Sequence, residues 1–204
     1  MKLFLLGATG GIGSAIIDQA LARGHAVTAF VRTPQKITRS DPRLSVVGGD
    51  PRSQEHLAAA MPGHDAVLSA LGPRSLKDHS VLSDCARSTV AAMQTAGIER
   101  LVIVSAAALF PDAGLLAALL RRTVFAGILN DASEMERTVT ANGLNWTIAR
   151  PPRLTNGSGT GHYRAVVGHP APRAFTIDRP DVARFMLDAL EQDRHVRDVV
   201  GLGR

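Results

Sequence analysis

Cysteine is nearly absent from this 204-residue chain, and the lone Cys85 excludes a disulfide framework. No CxxC pair or His/Cys cluster at ligand spacing points to zinc, so no metal site is expected. Aromatic residues make up 4% of the sequence, with one Tyr and one Trp, which leaves little material for a base-stacking surface. Lysine is scarce too: 3 Lys stand against 20 Arg. The formal net charge is +5, yet the basic residues are scattered and the longest Lys/Arg run is Arg121-Arg122. Nucleic acid is therefore not expected as a partner. Long apolar runs are missing as well. The run that opens the chain is too short for the apolar region of a signal peptide, and no cleavage-like tail follows it. LVIVSAAALF (101–110) stops at Pro111-Asp112, about half of the ~20 residues that span a bilayer. A soluble, cytoplasmic protein without a membrane partner is the expectation, present as a monomer or weak homodimer.

What is there is a regular alternation. KLFLL (2–6), AVTAFV (26–31), LSVV (44–47), DAVLSAL (65–71), LVIV (101–104) and LNWTIA (144–149) read as strands. Helix-period segments lie between them, at 12–23, 54–60 and 79–96, closed by Gly24, Pro62-Gly63 and Gly97. This spacing predicts βαβ units, hence a parallel sheet covered on both faces and an α/β, doubly wound (Rossmann) topology. After Arg150 the sequence turns loop-rich, and a helix at 181–191 and a strand at 196–200 close it. One domain over 1–204 is expected, with 150–180 as a small substrate-side region.

The most specific local signal is Gly7-Ala8-Thr9-Gly10-Gly11-Ile12-Gly13, placed after the first strand and opening the first helix. Each glycine has a physical purpose in a dinucleotide site. Gly7 permits the sharp turn, Gly10 lets a pyrophosphate reach the backbone, and Gly13 lets helix and sheet pack closely. The helix start then offers free N–H groups and the positive end of its dipole to phosphate. No Lys-Ser/Thr follows the glycines, which excludes a P-loop. At the end of the second strand, where NAD sites place a carboxylate for the ribose 2′-hydroxyl, stands Arg32, 19 residues after Gly13 (32 − 13). A guanidinium pairs with a 2′-phosphate, so the expected cofactor is NADP(H).

GATGGIG, VTAFVR, Gly49-Asp50, SALG (69–72) and VSAA (104–107) together resemble the atypical short-chain dehydrogenase/reductases. The stretch from Met135-Glu136 through Asn142-Gly143-Leu144-Asn145-Trp146-Thr147-Ile148-Ala149-Arg150-Pro151 is similar to the signature of their NAD(P)H-binding, NmrA-like branch, and 177–183 (IDRPDVA) to its C-terminal segment. Pro151–Leu154 followed by Thr160-Gly161 is similar to the small biliverdin-IXβ/flavin reductases. The resemblance implies that Gly7, Thr9, Gly10, Gly11, Ile12 and Gly13 hold the pyrophosphate and Arg32 the 2′-phosphate. It implies Asp50 and Pro51 beside the adenine, and Ala70, Leu71 and Gly72 along the ribose. Ser105 would approach the nicotinamide, and Pro151, Pro152 and Arg153 would border the acceptor pocket, Pro151 on the cofactor's side.

One departure decides the chemistry. Ordinary short-chain dehydrogenases use Tyr-x-x-x-Lys as proton donor, whereas this chain has a single tyrosine, Tyr163, and no lysine after Lys77. A planar acceptor such as a flavin or quinone delocalises incoming charge and takes its proton from solvent, so it needs no such donor. The protein's task then reduces to orientation in a partly dry pocket. Ser105 and Tyr163 are the candidate catalytic residues, with Tyr163 as a cover or a donor. The apolar segment 113–129 reads as a wall, a lid, a subunit interface or a buried helix. The leading expectation is an NADPH-dependent reductase of a flavin, quinone or related small planar substrate. The rivals are an NADP(H)-binding redox sensor acting through a partner, and a reductase of a specific ketone or imine.

Overall fold

Leu3 and Leu5 pack on one side of the first strand while Phe4 and Leu6 pack on the other, and all four are fully buried. Such a strand has no solvent face, the condition for the interior of a parallel sheet. A computed structural model describes the chain from Met1 to Arg204 except residues 74, 76–78, 115–118, 120–122 and 124.

The strands are β1 (Lys2–Leu6), β2 (Ala26–Val31), β3 (Leu44–Gly48), β4 (Ala66–Ser69), β5 (Arg100–Val104) and β6 (Asn145–Arg150), then β7 (Arg153–Thr155), β8 (Arg164–Val167), β9 (Thr176–Asp178) and β10 (Asp198–Gly203). Eight of them form one sheet in the order β3-β2-β1-β4-β5-β6-β10-β8. All its pairs are parallel except β8 on β10. The order runs outward from β1 in both directions, so the switch point lies between β1 and β4, where ligands of doubly wound sheets bind. β7 and β9 form a separate parallel pair.

Helices cover both faces. α1 (Gly11–Ala22) packs on the helix Arg179–Glu191, here α5, over the Leu3/Leu5 side. α2 (Gln54–Ala60), α3 (Val81–Ala96) and α4 (Ala126–Thr140) cover the Phe4/Leu6 side, α3 lying between the other two.

Two buried polar contacts lock the α4 layer. Asp131, on α4, accepts from the amides of Leu82 (2.8 Å) and Ser83 (3.0 Å) and so caps α3, whose own Ser80 side chain makes no cap. Glu136 of α4 and Arg150 of β6 form a bidentate pair, 2.9 Å at Arg150 Nε, with side chains only 10% and 13% exposed. The same guanidinium lies 4.5 Å from the centre of the Phe110 ring, in the chain that leaves β5.

Among the described residues, no helix is long and apolar enough to cross a membrane. The expected strands and helices appear at or within about two residues of their expected bounds. Three features differ. Residues 126–140 form a helix, of which only 126–129 belong to the apolar segment that admits a buried helix among its readings. The loop-rich stretch after Arg150 carries three short strands, and the last strand extends to Gly203.

Candidate functional site

The first strand ends in a turn that only glycine satisfies. Gly7 has φ +78°, and a Cβ there would lie 2.5 Å from the carbonyl of Ala70 on β4's exit. Its carbonyl receives the amide of Gly10 at 3.0 Å, closing the turn. A Cβ at Gly13 would stand 2.2 Å from that same carbonyl oxygen, so helix α1 leaves the sheet at a distance only glycine allows. α1 has no side-chain cap and no acidic residue in its first turn. Its first amides therefore face outward without intrahelical partners, an arrangement suited to an anion.

Those amides open onto a cleft of about 530 Å³ along the carboxyl ends of the strands, within the ~300–1,000 Å³ of small-molecule sites. Twelve sequence-predicted residues line it together: Gly7, Thr9, Gly10, Gly11, Ile12, Arg32, Asp50, Pro51, Ala70, Leu71, Gly72 and Ser105. Gly13 lies behind them, buried under the turn.

At one end of the cleft the charge is positive. Arg32 and Arg52 are exposed, as is Lys36, which the Pro34–Lys36 turn brings to the same wall. None of the three forms an ion pair among the described residues. Asp50 is the carboxylate in this lining, and it accepts the Arg52 amide at 3.0 Å. Gly49, beside it, is packed against the tip of the Phe30 ring, whose Cζ lies 2.2 Å from where a Cβ would be.

The other end is apolar. Val104, Ala106, Ile128, Leu129, Ala132 and Leu154 line it around Ser105. The amide of Ser105 donates to the Ala149 carbonyl at 2.7 Å, fixing the residue at the end of β5. Its hydroxyl is buried and has no hydrogen-bond partner among the described residues. A buried hydroxyl without a partner costs about 1–3 kcal/mol, so this one is poised for a ligand's polar group. Cys85 also lines the cleft, and burial pushes its thiol up to about 11. That thiol stays protonated and unreactive at neutral pH.

Besides Gly13, four predicted residues are not brought to this lining. Pro151 is buried, and its carbonyl receives the Ala107 amide at 2.9 Å, so it braces the segment after β5 from behind. Pro152 is half-buried beside it. Arg153 is exposed on β7, and strand alternation turns the next side chain, Leu154, into the cleft instead. Tyr163 packs edge-on against Phe185 of α5, with its hydroxyl directed at Asp188 at 3.4 Å. Burial and then the Asp188 charge push that phenol up to about 12. It is not among the described residues that line the cleft.

The sequence reading also missed residues that the cleft contains. Lys36 stands four positions after Arg32 and Arg52 two after Asp50, spacings that signal a shared wall only once β2 and β3 are paired. Arg179 stood inside the recognised IDRPDVA segment, with no role attached. Of the apolar stretch 113–129, residues 115–118, 120–122 and 124 lie outside the described residues. Ile128 and Leu129, at its end, line the cleft.

The model of the NAD(P)H-binding family matches residues 7–193. An uncharacterized chloroplastic protein of Arabidopsis thaliana is 33% identical over 213 residues, covering 98% of this chain and 75% of that protein. An uncharacterized sugar epimerase of Bacillus subtilis is 30% identical over 202 residues, covering 94% of this chain and 89% of its own length. A wide-type short-chain dehydrogenase/reductase of Veillonella parvula, solved in complex with NADP, superposes with a TM-score of 0.82. That match covers 100% of this chain and 94% of the other at 21% identity, a likeness of fold.

Proposed function

The chain belongs to the NAD(P)H-binding family, an atypical branch of the short-chain dehydrogenase/reductases, and on that premise we propose that it is an NADPH-dependent reductase of a flavin, quinone or similar small planar acceptor. The observation that carries this reading is the polarity of the cleft. Among the described residues, cations without ion pairs gather at one end, and the hydroxyl of Ser105 stands without a partner in an apolar pocket at the other.

The residues fit the dinucleotide chemically. The crowded glycines leave backbone amides free for a diphosphate, and Arg32, Lys36 and Arg52 offer charge to a 2′-phosphate. Asp50 and Pro51 border the adenine, and Ala70, Leu71 and Gly72 the ribose. Ser105 orients the nicotinamide carboxamide or the acceptor with its free hydroxyl. When bound, NADPH supplies the hydride. The protein orients the two rings and excludes water through Val104, Ile128, Leu129 and Leu154. Among the described residues of the cleft there is no Tyr or His, the lysine present is Lys36 at the basic end, and the thiol of Cys85 holds its proton too tightly to serve. This favours acceptors whose reduced form takes its proton from solvent over simple ketones. Residues 150–180 supply the acceptor side through Leu154.

The test is NADPH oxidation with FMN, FAD, riboflavin and small quinones, with NADH in parallel. The reading expects turnover with at least one acceptor and preference for NADPH. Saturable NADPH binding without turnover on any acceptor would overturn it and favour the redox-sensor reading, which the missing proton donor also suits.

A further inference from the structure

Arg179 opens α5 directly after β9, far along the chain from the glycine turn, yet its side chain lies across that turn. A Cβ built on Gly11 would be 2.4 Å from Arg179 Cδ and 3.0 Å from its Nε. The aliphatic stem therefore rests on the first residue of α1, with its guanidinium beside the outward-facing amides, and Arg179 lines the same cleft. Its hydrogen-bond partner is neutral, the side-chain oxygen of Asn156.

The carboxylates around it are already committed. Asp178 accepts from Thr155, the Gly157 amide (3.1 Å) and Arg204 (3.1 Å). Asp181 accepts from the amides of Thr160 (3.1 Å) and Gly161 (2.8 Å). No ion pair to Arg179 occurs among the described residues. A guanidinium with five donors, one neutral acceptor and no counter-ion is held at the mouth of a helix whose first turn lacks acid.

We infer that Arg179 is a diphosphate-binding residue, delivered to the cofactor by the acceptor-side segment and steadied there by Asn156. The inference rests on the dinucleotide reading above and extends it. Arg32 and its neighbours recognise the phosphate that distinguishes NADPH from NADH, whereas Arg179 pairs with the group common to both. The segment 155–161, pinned by Asp178 and Asp181, is thereby joined through Asn156 and Arg179 to the bound nucleotide.

Binding of NADPH, NADH and adenosine 2′-phosphate, which has no diphosphate, should be measured for the full chain and for Arg179→Gln, Arg179→Lys and Asn156→Ala. Arg179→Gln is expected to raise the Kd of NADPH and NADH alike, by about tenfold, the scale of one lost charge-assisted contact. Adenosine 2′-phosphate should bind within about twofold of wild type, which also reports an intact fold. Arg179→Lys should recover part of the loss, and Asn156→Ala should weaken both dinucleotides by a smaller factor than Arg179→Gln. Unchanged NADPH binding by Arg179→Gln overturns the inference alone, as does an equal loss for adenosine 2′-phosphate. Failure of the wild-type chain to bind any of the three overturns the dinucleotide reading beneath it.

Discussion

Arg32 faces the cleft from the end of β2 without an ion pair among the described residues, and Lys36 and Arg52 in the same lining outweigh the single carboxylate of Asp50. Replacing it with Asp reverses one of three charges and repels a 2′-phosphate. Arg32→Asp should weaken NADPH by tenfold or more, since charge-assisted hydrogen bonds contribute ~1.5–3 kcal/mol. NADH, which lacks that phosphate, should change little, and fluorescence titration of both nucleotides checks the difference. Tyr163 gives the opposite kind of prediction. Its phenol is engaged with Asp188 and is pushed up to about 12 by burial first and that charge second. Tyr163→Phe should therefore retain reductase activity, and the pH–rate profile should show no limb lost with it. Loss of activity with the fold intact would return that residue to the chemistry.

At the scale of elements, the α4 layer is where the cleft's apolar wall is fixed. Glu136 and Arg150 are nearly buried, so truncating one leaves the other charged and unpaired, at a cost of ~3–5 kcal/mol. Glu136→Ala should lower the unfolding free energy by about that amount in urea titration. Asp131→Ala exposes the unmet amides of Leu82 and Ser83 and should cost less, ~1–3 kcal/mol. These two carboxylates also show how far the sequence could be read. β1 to β6 were legible because each is a short apolar run bounded by turn residues, with a helical period between. Gly7 and Gly13 were legible because the turn's geometry admits nothing larger at those positions, and Gly10 because a diphosphate must approach the backbone there. By contrast, β7 and β9 form only by pairing with each other and β8 by pairing with β10, while Asp178 and Asp181 hold the amides of 157, 160 and 161 in the loop between β7 and β8. Gly- and Pro-rich composition concealed them. Glu136 and Arg150 were noticed as parts of a family signature, but their pairing emerges only where α4 crosses β6.

For the whole molecule, one sheet with two buried faces places the cleft at the reversal of strand order, between β1 and β4. The same assembly sets its response to acid. Asp178 is held below its ordinary value, first by the Thr155 hydroxyl and then, against some burial, by Arg204 and the Gly157 amide. Glu191 is lowered as well: burial alone would raise it, but hydrogen bonds and charge from His25 and Arg23 outweigh that effect. A carboxyl with a depressed folded value stabilises the protein above its unfolded pKa of ~4 and loses that contribution as pH falls through the folded value. The urea midpoint at pH 3 should therefore lie below that at pH 6, and Asp178→Asn should show a smaller drop. A midpoint that rises on acidification would contradict this assignment. On the proposed reading, the cleft's positive charge selects the phosphorylated form of the coenzyme. The most direct measurement is isothermal titration of the purified chain with NADPH and, separately, NADH. The account predicts saturable binding of both, with NADPH tighter by tenfold or more; equal affinities, or no saturable binding of either, would contradict it.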